Sequence, residues 1–258
     1  MKILFLADVF GVPGRRAVEE HLPALRERYD ADLTVVNGEN AADGAGITAK
    51  LADKLLAAGA DVVTLGNHTY RRGGVAGYLA ASERVIRPAN FGSEAPGRGM
   101  AVVEARNGIA VAVVNLLGQL FLPTPVSPWE MVDPLVEEAR AAAPVVIVDF
   151  HAEATSEKVA LATWLDGRVT AVIGTHTHVQ TNDARVLPGG TAAVSDAGMT
   201  GPHDSVIGVR AELAIARMRT RLPVRFEPAE GGVRLEGVLV TCTDTGRAEA
   251  IELLRIPA

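Results

Sequence analysis

Five short aliphatic runs, each broken by polar residues at its carboxyl end, constrain this chain more than any other feature: KILFLAD, LTVVNGEN, DVVTLGNH, PVVIVDFH and TAVIGTHTH. A continuous Val/Ile/Leu run of this length suits a strand buried on both faces. Helical segments between the runs suit a largely open sheet covered on both sides, so the fold class is α/β, a sandwich. Helices are expected from Pro13 through Tyr29, bent at Pro23, and from about Thr48, as N-cap, to Ala58. Two more are expected after Thr155-Ser156-Glu157 and from Asp133 to Ala142, with LGQLFLPTPVSPWE an irregular loop. Asn107-Gly108 between two apolar runs marks a hairpin, and a Gly-containing turn near the C-terminal end marks another. Antiparallel strands therefore join the βα framework and the sheets are mixed.

Residues 1–258 are expected to form a single domain, since a chain of this size buries most of its apolar surface in one core. A net charge of −6 and a pI near 5.6 argue against broad attraction to nucleic acid or to anionic membranes. No stretch approaches the ~20 apolar residues of a membrane span, and Asp8 interrupts the N-terminal apolar run before it reaches signal-peptide length. The single cysteine, Cys242, excludes an internal disulfide and suits a reducing cytoplasm, the expected location. The sequence leaves a homo-oligomer open.

The chemistry-bearing residues recur at one place on the expected strands. Asp8 follows the first run, Glu39 and Asn40 the second, Asn67 and His68 the third, His151 closes a later one, and His176 with His178 follows another. Ligand sites of open α/β sheets lie outside the carboxyl ends of strands, so these side chains can converge from distant positions. In an extended segment His176 and His178 would point to one side as a paired imidazole pincer. Carboxylate and amide oxygens with imidazole nitrogens suit Fe, Mn, Zn or Mg, and seven donors exceed what one four-coordinate ion takes, so two divalent ions are expected. Each residue alone also has a structural reading: Asp8 as a helix cap, GEN as a common loop, Asn67-His68 as a turn, His151 as a satisfied core histidine. His21 reads as a solvated helix residue, and Arg15 and Arg16 as surface arginines without the Lys-Ser/Thr of a phosphate loop. Tyr70, Arg71, Thr200 and His203 are candidates for a pocket wall.

These motifs, in this order, resemble the calcineurin-like metallophosphoesterases. Phe10 stands where that pattern has a histidine, Glu39 where it has an aspartate, and Thr69 follows Gly66-Asn67-His68 where an acid is usual. With those departures, NGENAADGAGIT, GNHTY, RPANF, DFHAEATSEK, GTHTHVQT and GMTGP resemble the YmdB-like family of bacterial phosphodiesterases over nearly the whole chain. The resemblance implies a four-layer αββα core with two mixed sheets. It also implies one metal on Asp8, Glu39, Asn40 and His178 and a second on Glu39, Asn67, His151 and His176, with iron or manganese as the ions. His68 would donate a proton to the leaving group after attack by a hydroxide bridging the ions, and the substrates would be cyclic nucleotides, 2′,3′-cyclic or 3′,5′-cyclic such as cyclic AMP. Two rivals remain: a phosphomonoesterase or nucleotidase using the same metals, and a metal-stabilised regulatory or RNA-associated protein with weak turnover.

Overall fold

Alternate residues of the first aliphatic run serve two different cores. The computed structural model describes residues 1–258. It groups Ile3 and Phe5 with Val113, Ile147 and Ile173, and Leu4 and Leu6 with Val18, Leu22 and Leu55. Successive strand side chains point to opposite faces, so this strand has a second sheet on one side and helices on the other.

In chain order the elements are β1 (Lys2–Leu6), α1 (Gly11–Tyr29), β2 (Leu33–Asn37), α2 (Ala49–Ala57), β3 (Val62–Thr64), α3 (Val75–Ala81), β4 (Val85–Ile86), a 3₁₀ turn (Ala89–Phe91), β5 (Met100–Glu104), β6 (Ala110–Leu117), α4 (Pro128–Ala142), β7 (Val145–His151), α5 (Thr155–Trp164), β8 (Ala171–Thr175), β9 (Arg185–Val186), β10 (Ala192–Val194), β11 (Gly201–Pro202), α6 (Ala211–Thr220), β12 (Val233–Cys242) and β13 (Ala248–Pro257). One sheet runs β11-β12-β1-β2-β3-β4 with β13 beside β12; β1 to β4 are parallel and β12 is antiparallel to β1. The other runs β5-β6-β7-β8-β10-β9, parallel from β6 to β10 with antiparallel strands at both edges. Helices α1 to α3 cover the outer face of the first sheet, and α4 and α5 that of the second.

The layers are thus helices, sheet, sheet, helices, rather than one open sheet with helices on both faces. The aliphatic runs signal burial on both sides correctly, but a run buried by another sheet reads the same as one buried by a helix. Thr48 caps α2, its Oγ1 accepting from Leu51 N–H at 3.4 Å. Helix α4 begins at Pro128 rather than Asp133, because Ser127 caps it and proline is tolerated in a first turn whose N–H groups have no helical partner. The Asn107-Gly108 hairpin joins β5 to β6, with Gly108 at φ 83°. No helix is long and apolar enough to cross a membrane.

Candidate functional site

The five runs end at a common edge of the two sheets, and the polar residues there meet. His176 N–H donates to Asp8 Oδ2 at 3.0 Å across 168 positions of sequence. The Nε2 atom of His151 is a hub: Glu39 Oε1 lies at 3.2 Å, Asn67 Oδ1 at 3.2 Å and His176 Nδ1 at 3.1 Å. A second group forms around Asn40, whose Nδ2 donates to His178 Nε2 at 3.0 Å, with Asp8 Oδ1 at 3.8 Å from the same nitrogen. His68 joins the two, its Nδ1 lying 3.0 Å from Asn40 Oδ1 and 3.3 Å from Glu39 Oε1. All eight residues singled out in the sequence are therefore in one place. The extended pincer is not formed: His176 and His178 leave the strand at φ 103° and 64° and go to different groups, in the division that the family resemblance implied.

The imidazoles of His151, His176 and His178 each have the outer nitrogen tied. His178 Nδ1–H donates to the Ile207 carbonyl at 2.9 Å, and His176 Nε2 faces Glu153 Oε2 at 3.0 Å. Thr175 Oγ1 donates to Asp149 Oδ1 at 2.7 Å, so its lone pair accepts from His151 Nδ1–H at 2.9 Å. Carbonyl or carboxylate partners of this kind fix the tautomer of a metal-binding histidine and leave its other nitrogen facing inward. Around His151 Nε2 the carboxylate of Glu39, the amide oxygen of Asn67 and the free lone pair of His176 all face one atom, and one N–H serves one such acceptor well. Asp8 Oδ1 and Glu39 Oε2 are buried with no hydrogen-bond partner at all. No three His, Asp or Glu side chains enclose a common point as a ready-made cage. Two of the donors are amides, and the imidazoles close directly on their neighbours.

The electrostatics follow from this crowding. Burial works to raise Glu39, yet His151 and His68 beside it hold its carboxyl below the ordinary value. Burial works to lower His151, but Glu39, Asp8 and Asp149 raise it above the ordinary value. His176 is pushed down to about 2 by burial and by the neighbouring imidazoles, so it is neutral. Burial raises Asp8 against the pull of His178 and His151. His68 is lowered by burial, with Glu39 opposing.

Sequence reading missed the layer beneath. Asp149 is fully buried between the sheets, where Oδ2 accepts from Asn37 Nδ2 at 2.9 Å and from Thr64 Oγ1, and Oδ1 accepts from Thr175. An acid inside VVIVDFH, two positions from His151 and on the same strand face, was the available signal. The buried pair Lys158–Asp196, at 2.7 Å, holds the histidine loop, because Asp196 Oδ2 also accepts from Thr177 N–H and Oγ1 at 3.0 and 2.8 Å.

Close approach explains two further residues. A Cβ at Gly66 would stand 2.0 Å from Glu39 Oε2 and 2.3 Å from His151 Cδ2, so only glycine leaves room for both. Phe10 is a plug: its ring fills the space above Gly44 and Gly208, both at positive φ, and meets His178 edge-on at 5.5 Å. Thr69 is also structural, donating to the Gly66 carbonyl at 2.7 Å.

The centre opens into a cleft of about 670 Å³ walled by Arg71, Arg72, Glu153, Ile207, Arg217 and Phe226, with His68, His176 and His178 among its lining residues. Of the expected wall residues only Arg71 lies here. Tyr70 packs on Phe91 and donates to the Pro96 carbonyl, Thr200 is buried on the Glu236 carbonyl, and His203 faces the Met199 carbonyl. Arg15 is not a free surface arginine, since it donates to the Ala41 carbonyl while Arg72 donates to those of Ala42 and Ala45, fixing the loop after Glu39-Asn40.

A Bacillus subtilis protein named 2′,3′-cyclic-nucleotide 2′-phosphodiesterase is 48% identical over 257 residues, covering 99% of this chain and 97% of its own. A Thermus thermophilus crystal structure described as a hypothetical protein superposes with a TM-score of 0.93 at 43% identity, covering 100% of this chain and 99% of that one. A Mycoplasma pneumoniae structure described as a novel phosphatase gives a TM-score of 0.90 at 35% identity, covering 100% and 93%. With the family model described as YmdB-like protein matching residues 4–254, this chain belongs to the YmdB-like family.

Proposed function

We propose that this chain is a metal-dependent phosphodiesterase that opens 2′,3′-cyclic nucleotides. The observation that carries it is the convergence of Glu39, Asn67 and His176 on His151 Nε2, three acceptors around one atom that a divalent cation would satisfy and a single proton would not. The buried, partnerless oxygens of Asp8 and Glu39 support the same reading. Asp8, Asn40 and His178 would hold one ion and Asn67, His151 and His176 the other, with Glu39 serving both; hard oxygen and borderline imidazole donors without thiolate suit iron or manganese. When bound, such ions supply charge neutralisation for a phosphoryl group and a water acidic enough to react at neutral pH.

The chain's own residues do the rest. Asn40 and Glu39 hold His68 by Nδ1, which leaves Nε2 without a protein partner on the cleft wall. There it can give its proton to the oxygen leaving phosphorus, a contribution of roughly 10²–10⁴ in rate. Burial, with the charge of Arg71 nearby, makes the protonated ring a stronger acid than an ordinary histidine. Asn40 thus takes the orienting role that an acid at position 69 would have. The name of the Bacillus subtilis relative supports the 2′,3′-cyclic class; the 3′,5′-cyclic class and monoesters are tested beside it.

The experiment is metal analysis of the protein as isolated, followed by turnover of 2′,3′-cyclic AMP, 3′,5′-cyclic AMP and a nucleoside monophosphate. Glu39→Gln is expected to lose bound metal and turnover together. His68→Ala is expected to keep metal content and lose about 10²–10⁴ in kcat. Full turnover in a well-folded, metal-free Glu39→Gln protein would overturn the reading.

A further inference from the structure

The cleft has an aromatic rim that neither the metal donors nor His68 uses. Phe226 lies in the irregular segment after α6 and is 41% exposed, and the Arg217 guanidinium sits over its ring at 5.0 Å. Both line the same cleft as His68, His176 and His178. The segment is anchored: Arg210 N–H donates to the Glu227 carbonyl at 3.0 Å, Ala229 N–H to that of Gly208 at 2.9 Å, and Pro228 bridges Val209. Beside it, Ile207 is 51% exposed and held at φ 46°, a left-handed backbone that a β-branched residue adopts only under constraint. That constraint has a visible purpose, because the Ile207 carbonyl is the one that fixes His178.

We propose that Phe226, backed by Arg217 and flanked by Ile207, is the subsite for the nucleobase of the substrate; this rests on the phosphodiesterase reading above. A phenyl ring and a guanidinium plane both take the flat face of a base, and stacking of this kind is tolerant of base identity. A cleft of about 670 Å³ falls within the range of nucleotide-sized ligand sites. Arg71, Arg72 and Arg217 line the cleft together with Asp43, Glu153 and Glu227, so its wall has no excess positive charge to draw in a polyanionic strand. Size and charge together fit a mononucleotide with one phosphodiester rather than a longer strand. The base rests on the wall while the cyclic phosphate reaches the histidines at the floor.

The test compares 2′,3′-cyclic AMP with glycerol 1,2-cyclic phosphate, the same strained diester without a base, in the metal-loaded wild type, Phe226→Ala, Phe226→Tyr and Arg217→Ala. Phe226→Ala is expected to lower kcat/KM for the nucleotide about 10- to 100-fold more than for the base-free diester, chiefly through KM. Phe226→Tyr should recover most of that selectivity, and Arg217→Ala should lose part of it. An equal loss on both diesters, or no loss on either, overturns the subsite. A wild type that opens the base-free diester and not the nucleotide also overturns it, and leaves the phosphodiesterase reading standing. If neither diester turns over, that reading fails, and calorimetric binding of 3′-AMP decides the subsite. Affinity lost in Phe226→Ala and regained in Phe226→Tyr supports it, and equal affinity in all three proteins overturns it.

Discussion

Replacing Asp149 by Asn puts an N–H donor where the surroundings offer only donors. Asp149 Oδ2 accepts from Thr64 and Asn37, and Oδ1 accepts from Thr175. Two against one decides how the amide sits: its oxygen stays with Thr64 and Asn37, and its NH₂ faces Thr175. The Thr175 hydroxyl must then accept, which turns its own proton toward His151 Nδ1, 2.9 Å away, and that nitrogen must give up its hydrogen. The ring is left with its only proton on Nε2, the atom facing Glu39, Asn67 and His176, where a cation would have to bind. Stability and cation affinity should separate as a result. Burial pushes the Asp149 carboxyl up to about 6 from an ordinary 3.8, which costs the fold about 3 kcal/mol at neutral pH, and Asn relieves this. Exchanging charged hydrogen bonds for weaker ones costs about 1–3 kcal/mol, so the two nearly cancel. Cation affinity has no such offset and should fall about 10–100-fold, as is usual when an outer partner of a metal histidine is lost. Manganese titration by calorimetry, urea unfolding of the metal-stripped protein and ¹⁵N shifts of His151 read the three quantities. Thr175→Ser should match the wild type and Thr175→Val should match Asp149→Asn in affinity. A variant that binds manganese within about twofold of the wild type, with His151 Nδ1 still protonated, would refute the relay.

The same carboxyl fixes a pH dependence. Its folded pKa lies above the unfolded one, so the folded protein holds the extra proton and the contribution of Asp149 to stability falls as pH rises from 3.8 to about 6; subtracting the Asp149→Asn unfolding curve from the wild type isolates a difference approaching about 3 kcal/mol. His151 is raised by Glu39, so at neutral pH a cation must expel its proton; affinity should climb about tenfold per pH unit through the ordinary histidine range, and calorimetry in buffers of different ionisation heat should show about one proton released. Binding without proton release would contradict the raised His151. Gly66→Ala drives a methyl into Glu39 and His151, and should cost about 1–3 kcal/mol in thermal unfolding and abolish most manganese binding; unchanged binding would mean the two side chains have room to move.

The donor set was legible in the sequence because strand chemistry is local. An aliphatic run that stops at Asp, Asn or His announces a strand end, and strand ends of α/β folds share an edge, so Asp8, Glu39, Asn40, Asn67, His68, His151, His176 and His178 could be named together. What the strand pattern could not show was how the donors divide into two groups; only the family resemblance carried that division. His176 and His178 were expected to act side by side, and the turn that separates them depends on Asp8, Asp196 and Ile207, each held by a different part of the chain. Glu153 on His176 and the Asp149 layer are likewise meetings between distant stretches of chain, invisible to any single segment.

Burial itself was local information, written in runs such as KILFL and VVIVDFH, while the identity of what covers each face was not. A strand side chain gains the same from leaving water whether a helix or a second sheet receives it, so one pattern serves both partners. Only packing decided that Ile3 and Phe5 would face the other sheet and Leu4 and Leu6 the helices. The cleft wall was decided the same way: Phe226, Arg217 and Ile207 carry no motif, and they became one surface because the chain after α6 folds back along residues 206–210.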